Sequence, residues 1–295
     1  MIPASGAHGG DGPAIARALG IDPDRIVDLS LSLNPFAPAI DDLARRHVHV
    51  LRNYPDVDGA SDLLADALEV ERDRLVLTNG GSEAIVLVAR ELGGSVVAEP
   101  EFSLHPRGAG APRWRSNPHN PTGVLAGASD TADVWDEAFY PLATGTWTRG
   151  DRGVVVVGSL TKVFACPGLR LGYVLADDAA RFARSQPAWP VNALALALLP
   201  DLLARADLPG WCRAIQVRRS ELVELLRSRG YEPGASDAPW LLVEAPGLRE
   251  RLAPCGVVVR DCTSFGLPGH VRIAVPDDAG LARLHEVLPC AKETP

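Results

Sequence analysis

The sequence predicts an α/β protein: a large, doubly wound domain with a mostly parallel sheet, followed by a smaller α+β domain. Three observations carry this. Short apolar strands alternate with stretches of helical apolar spacing over the first two thirds of the chain. Val154–Gly158 is a continuous apolar run, as expected of a parallel strand covered on both faces. Beyond Trp211 the alternation gives way to a mixed order of strands and helices. At 295 residues the chain is long enough for both units. The expected organisation is an N-terminal arm over 1–36, a large domain over 37–205 and a small domain over 206–295.

Each element has its own signal. Gly and Pro punctuate the arm, which carries one short helix near Pro13–Leu19. Ala60–Leu68 has helical spacing, and Leu75–Thr78 reads as a short buried strand. Asn79-Gly-Gly-Ser82 then breaks the chain before a helix over Glu83–Leu92. Ser95–Ala98 is a strand, whereas the Pro/Gly/Arg-rich stretch Pro100–Pro121 resists assignment to regular structure. Leu171–Ala176 is a further strand, followed by helices over Asp177–Ser185, Asn192–Ala206 and Trp211–Arg229. The tail reads as strand Trp240–Glu244, a helix, strands Val257–Arg260 and Val271–Val275, and a closing helix Ala279–Leu288.

Composition narrows the function classes. With 46% hydrophobic and 22% charged residues, the chain can fill a core. A formal net charge of -8, with arginines scattered among acids, argues against nucleic acid as a partner. No apolar run approaches the roughly 20 residues that span a bilayer, and the N-terminus lacks a signal-peptide pattern. The five cysteines are odd in number and lack CxxC spacing, so reduced thiols in a cytoplasmic protein are expected, and no metal site.

Four short runs carry chemistry. In Gly158-Ser-Leu-Thr-Lys162, a lysine stands where a buried strand ends, and desolvation there lowers an amine's pKa. Ser159, Thr161 and Arg170, in Pro167-Gly-Leu-Arg170, supply ligands for a phosphate dianion. The competing reading is a surface turn with a solvated lysine. Thr78-Asn-Gly-Gly-Ser-Glu83 opens a helix, where the amides of Gly81, Ser82 and Glu83 would face an anion; a plain turn capped by Ser82 fits equally. In Asn117-Pro-His-Asn-Pro-Thr-Gly123, two Asn-Pro steps extend the loop and can present Asn120, although an ordinary loop has the same composition. Asp136-Glu-Ala-Phe139 follows the apolar Val134-Trp135, and places either a buried carboxylate or a solvent-facing acid at a strand end.

In this order and spacing, NPHNPTG, DEAF, SLTK and PGLRLGY resemble the fold-type I enzymes that use pyridoxal 5'-phosphate (PLP), over nearly the whole chain. The resemblance implies the aspartate-aminotransferase-like PLP-dependent transferase fold, with Lys162 carrying PLP as a Schiff base and moving the substrate's Cα proton. It implies that Asp136 pairs with the pyridine nitrogen, Asn120 with O3', and His105 stacks on the ring. Gly81, Ser82, Glu83, Ser159, Thr161 and Arg170 would hold the phosphate. Tyr54, in Asn-Tyr-Pro-Asp, would reach a neighbouring subunit's phosphate, implying a homodimer. Arg272, in Val-Arg-Ile-Ala-Val, would anchor the substrate through its bidentate fork.

Within the group, the chain resembles the branch holding histidinol-phosphate aminotransferase and threonine-phosphate decarboxylase. Ala7-His8-Gly-Gly, Asp28-Leu-Ser-Leu-Ser-Leu-Asn34-Pro, Phe139, Pro187-Ala-Trp-Pro-Val-Asn192 and Val259-Arg260-Asp-Cys look like the decarboxylase. That implies CO2 loss from L-threonine O-3-phosphate to (R)-1-amino-2-propanol phosphate, a step of cobalamin biosynthesis, with His8, Ser32, Asn34, Arg260 and Arg272 around the substrate. A solvated bystander is the competing reading of His8. The alternatives are an aminotransferase acting on histidinol phosphate, and a PLP-binding paralogue with little turnover. Three departures from the family stand out. Roughly thirty residues are missing between Phe102 and Asn117 and about a dozen between Gly123 and Asp136, so a strand-helix unit at the sheet edge is expected to be absent. His105 replaces a better-stacking aromatic, and Ser32 replaces an Asn.

Overall fold

The computed structural model describes residues 2–6 and 8–291; Ala7 of the arm motif and residues 292–295 lie outside the described residues. The arm begins with helix α1 (Gly12–Leu19), which has Pro13 in its first turn and ends at Gly20 in the left-handed region. A two-residue strand follows, β1 (Val27–Asp28). Helices α2 (Asp41–His47) and α3 (Asp58–Leu68) come next. The sequence marks α3 but not α2, which buries only Leu43 and so has no apolar stripe to read.

The large domain continues with β2 (Leu75–Asn79), α4 (Gly80–Leu92), β3 (Ser95–Val96), β4 (Arg113–Ser116), β5 (Val134–Asp136) and α5 (Tyr140–Thr144). Strand β6 (Val155–Ser159) passes directly into the single turn α6 (Leu160–Val163), and β7 (Leu171–Leu175), α7 (Ala179–Ala183) and α8 (Ala193–Ala204) complete it. The strands form one sheet in the order β2-β7-β6-β5-β4-β3. Only β7 runs antiparallel to its neighbours. Alternation along the strands divides the interior between two cores: Trp135 and Val156 pack on one face, Val134 and Val157 on the other. Strand β4 lies within the stretch that resists assignment from sequence. Its four residues are too few to show a period, yet Trp114 is fully buried. Strand β3, two residues long, is the sheet's edge on this side, and the large domain is trimmed there.

The small domain opens with α9 (Leu208–Ser228), started by Asp207, whose carboxylate accepts the Gly210 N–H at 2.9 Å. Strand β8 (Trp240–Glu244), α10 (Leu248–Leu252), β9 (Val257–Val258), β10 (Arg260–Asp261), β11 (His270–Ala274) and α11 (Asp278–Val287) follow. The single strand expected over Val257–Arg260 is two strands. β9 pairs in parallel with β1 of the arm, and β10 pairs antiparallel with β11. The break sets Arg260 directly opposite Arg272. Among the described residues, no helix is long and apolar enough to cross a membrane, and all five cysteines are free thiols.

Candidate active site

The site is built at one end of β6. Gly158 lies opposite Tyr173, and a Cβ there would stand 2.1 Å from the tyrosine ring, so only glycine fits. Ser159 is extended, and the following turn, α6, carries Lys162. Lys162 Nζ sits 5.7 Å from the centre of the Phe139 ring. Burial, reinforced by the charges of Arg272, Arg170 and Arg260, pulls the ammonium pKa down to about 8. Asn34 braces this turn: its backbone N–H donates to the Lys162 carbonyl at 3.1 Å and its Nδ2 to the Val163 carbonyl at 2.9 Å. Asn34 is buried and does not line the cavity, so the structure places it behind the lysine turn and not at the substrate contact expected of it.

The N-terminus of α4 faces the same space. Gly80 is left-handed (φ 77°), and a Cβ there would meet Arg170 Nη2 at 2.5 Å, so the guanidinium rests against bare backbone. Gly81, Ser82, Ser159, Thr161 and Arg170 line one side of a cavity of about 200 Å³, with Lys162 beside them. The first-turn amides of this 13-residue helix, two hydroxyls and a guanidinium together form an anion cradle. Glu83 departs from expectation in its side chain, which turns back to accept the Asn79 N–H at 2.5 Å and is absent from the cavity wall. The helix is capped at Asn79, not at Ser82.

Asp136 ends β5 at the cavity wall, largely buried. Behind it lies His105, whose Nε2 is 3.0 Å from Asp136 Oδ2 and whose Nδ1 is 3.4 Å from Glu101 Oε2. Burial opposes the imidazolium, but the hydrogen bond to Asp136 and the nearby Glu101 carboxylate outweigh it and raise the pKa to about 9. Glu101 is itself buried and accepts from the Ser116 N–H at 2.8 Å and the Ser116 hydroxyl. His105 therefore does not stack in the cavity. It lies behind Asp136, and the phenyl rings that line the cavity are Phe102, three residues earlier, and Phe139. Sequence reasoning missed Phe102, Glu101 and Ser30. The available signal was the Glu-Phe pair after Pro100, a carboxylate and an aromatic at the start of a Pro/Gly/Arg-rich loop.

The opposite wall is cationic. Arg260 and Arg272 face each other across β10 and β11 and are both buried. Like charges directly opposite repel; each guanidinium is seated on an aromatic face 4.5 Å away, Phe265 for Arg260 and Trp240 for Arg272. Arg272 Nη1 donates to Asn120 Oδ1 at 2.6 Å, which leaves the Asn120 amide nitrogen as a donor toward the cavity. Burial and the neighbouring Arg260 charge hold the Arg272 pKa well below its ordinary value. His8 packs edge-on against Phe102 at the mouth, and burial with the nearby Arg260 lowers its pKa. Ser32 lines the cavity with its hydroxyl buried and lacking a hydrogen-bond partner. Tyr54 lies elsewhere, 76% exposed and stacked on Trp189 at 4.2 Å.

A lysine, a carboxylate, an amide and an anion cradle around one cavity define an enzyme site for a phosphorylated aldehyde cofactor. The profile of the family described as aminotransferase class I and II matches residues 114–288, and the chain belongs to that PLP-dependent family. It is 29% identical to a histidinol-phosphate aminotransferase from Halorubrum lacusprofundi, over 93% of this chain and 92% of the relative. It is 28% identical to the threonine-phosphate decarboxylase of Salmonella typhimurium, over 96% of each. The first alignment runs to 346 positions against a chain of 295 residues, so gaps fall inside this chain, in keeping with its trimmed domain. The fold is shared with a histidinol-phosphate aminotransferase from Sinorhizobium meliloti solved with pyridoxal-5'-phosphate (TM-score 0.80, 17% identity, 95% of this chain and 94% of that one). It is shared too with an L-threonine-O-3-phosphate decarboxylase from Porphyromonas gingivalis (TM-score 0.73, 23% identity, 88% and 97%).

The residues present fit PLP. The buried, pKa-lowered Lys162 is a reactive amine, the α4 cradle with Arg170 suits a phosphate, and the largely buried Asp136 suits a protonated ring nitrogen.

Proposed function

We propose that the chain is a lyase that decarboxylates L-threonine O-3-phosphate to (R)-1-amino-2-propanol phosphate. The observation that carries this is the buried Arg260–Arg272 pair facing Lys162 across one cavity, with His8 at the mouth. Two opposed guanidiniums are stabilised by a ligand bringing two anionic groups, and threonine phosphate carries a carboxylate and a phosphate together. Histidinol phosphate has a phosphate but no carboxylate.

PLP, when bound, supplies an electron sink conjugated to the substrate's Cα. The protein's own residues do the rest. Lys162 Nζ, neutral in part at pH 7 to 8, would hold the cofactor covalently and, once CO2 has left, would deliver a proton to Cα. Asp136, backed by His105, would hold a proton on the ring nitrogen, and the Asn120 amide would donate to the ring hydroxyl oxygen. Phe102, on the cavity wall, would cover the ring face. Arg272 takes the carboxylate, while Arg260 and His8 take the substrate phosphate, and the angle at which Arg272 holds the carboxylate decides which Cα bond breaks.

The second reading, transamination of histidinol phosphate, has the names of most of the relatives in its favour. A substrate panel separates the two. CO2 release from threonine phosphate, with free threonine barely turned over, is the expected result. Faster amino transfer from histidinol phosphate to 2-oxoglutarate overturns it, and silence from both with PLP bound points to a paralogue of low turnover. The protein is further proposed to be a homodimer in which the exposed Tyr54 reaches the partner's phosphate site.

A further inference from the structure

We propose that Arg107 stands in for the lost edge unit of the large domain, as the positioning residue that holds Phe102 and His105 in place against the cofactor site. The edge strand β3 is two residues long, and the segment after it folds back along it. Ser95 and Arg107 form an isolated antiparallel bridge, and the Gly108 N–H donates to the Gly94 carbonyl at 3.0 Å. This loop therefore occupies the side of β3 where a further strand would pair.

From that bridge the Arg107 guanidinium reaches inward. Nη1 donates to the carbonyls of Phe102 at 2.7 Å and His105 at 2.6 Å, and Nη2 to that of Glu101 at 3.0 Å. Nε pairs with Glu99 Oε1 at 2.8 Å, which fixes the fork's orientation. An irregular loop has no ladder to satisfy its carbonyls, and one arginine here takes three of them. They belong to the residue lining the cavity, the residue behind Asp136, and the carboxylate that holds that residue. The Glu99 ion pair is partly exposed and adds little by itself; the carbonyl bonds are what bind the loop. Sequence reading passes over Arg107 as one of many scattered arginines.

The inference rests on the placement of PLP in this cavity and not on which substrate is turned over, so it is tested without substrate. Arg107→Gln is expected to weaken PLP binding to the apoprotein by about tenfold, through loss of several charge-assisted hydrogen bonds. It is also expected to shift the pH titration of the near-visible absorbance of the Lys162-bound cofactor. Arg107→Lys, which keeps the charge but not the fork, is expected to fall between. Because Arg107 acts through Phe102, Arg107→Gln combined with Phe102→Leu should cost less affinity than the two single effects added together. Additive effects, or a folded Arg107→Gln protein with unchanged affinity and titration, overturn the proposal. Should Arg107→Gln not fold, Arg107→Lys, which cannot span the three carbonyls at once, must by itself weaken PLP binding; unchanged binding there overturns the proposal as well. The expected loss of PLP affinity in Arg107→Gln, found alongside wild-type protein inactive on threonine phosphate, would count against the substrate reading and leave this inference standing.

Discussion

Asn34 and Lys162 are joined through the main chain: the Asn34 N–H donates to the Lys162 carbonyl at 3.1 Å, and the Asn34 side chain holds the next carbonyl at 2.9 Å. The lysine's position is therefore set from outside its own element, by the arm. Asn34→Ala should lower kcat by about tenfold with little change in KM, since a misplaced amine slows a positioned step more than it weakens binding. A variant that changes KM alone would restore the substrate-contact reading of Asn34.

Lys162 has its pKa lowered to about 8 by burial and three arginines. Only the neutral amine attacks an aldehyde. The rate at which apoprotein combines with PLP should therefore rise through pH 7 and level off above about 8. Stopped-flow absorbance against pH checks this; a rate still climbing well above pH 9 contradicts it. Lys162→Ala should fold, lack the borohydride-removable band, and lose turnover by about 10³-fold or more.

His105 binds its proton more tightly in the folded chain, at about 9 against an ordinary 6.5. The stabilisation is fully present below 6.5 and is lost as pH rises toward 9. The difference in thermal midpoint between wild-type and His105→Asn apoprotein should shrink across that window. A constant difference would sink the claim that the two carboxylates hold an imidazolium. Asp136→Asn, which removes one of them and the expected ring-nitrogen partner, should cost about 3 to 4 kcal/mol, or roughly 10²- to 10³-fold in rate.

Arg272 is buried and fixed by Trp240 and Asn120, whereas His8 sits at the mouth against Phe102. Arg272→Ala should therefore reduce kcat/KM by about 10² or more, leaving an oxyanion unmatched in a dry site. Water can replace the His8 contact, so His8→Ala should cost no more than about tenfold. Steady-state kinetics with threonine phosphate ranks the two; the reverse order is evidence against Arg272 as the anchor.

Tyr54 and Trp189 form an exposed aromatic stack, which a partner subunit would cover. Sedimentation at micromolar concentration should show a dimer. A fully active monomer would remove Tyr54 from the site.

Much of the site was legible because its chemistry comes in contiguous runs. A strand end, a lysine and two hydroxyls within five residues, or an Asp directly after Val134-Trp135, keep their meaning whatever surrounds them. The errors arose where meaning depends on direction. Phe102 and His105 are three residues apart in a loop without periodicity, and nothing local says which one enters the cavity and which lies behind Asp136. Asn34 has the residue type of a ligand, and only its tertiary hydrogen bonds make it a brace. The break between β9 and β10 was hidden for the same reason: Val257–Arg260 is uniformly strand-like, and the two halves part only because β1 and β11 lie on different sides.

The bonding of the arm also bears on how the chain reaches this structure. Strand β1 pairs with β9, about 230 residues later, the Leu29 carbonyl accepts from Ala274, and buried Arg249 bonds the Pro3 carbonyl and Asp11. During synthesis the arm leaves the ribosome well before its partners do. The β2–β7 sheet, complete in between, can form while the arm is still waiting, but the Asp28 and Ser30 contacts that order the arm near His8 have no scaffold until the last ninety or so residues emerge. A nascent chain stalled after α8 would hold Lys162 in a finished sheet beside an unfinished cavity: it would have the buried amine and the α4 turn, and neither Arg260 nor Arg272 of the opposite wall.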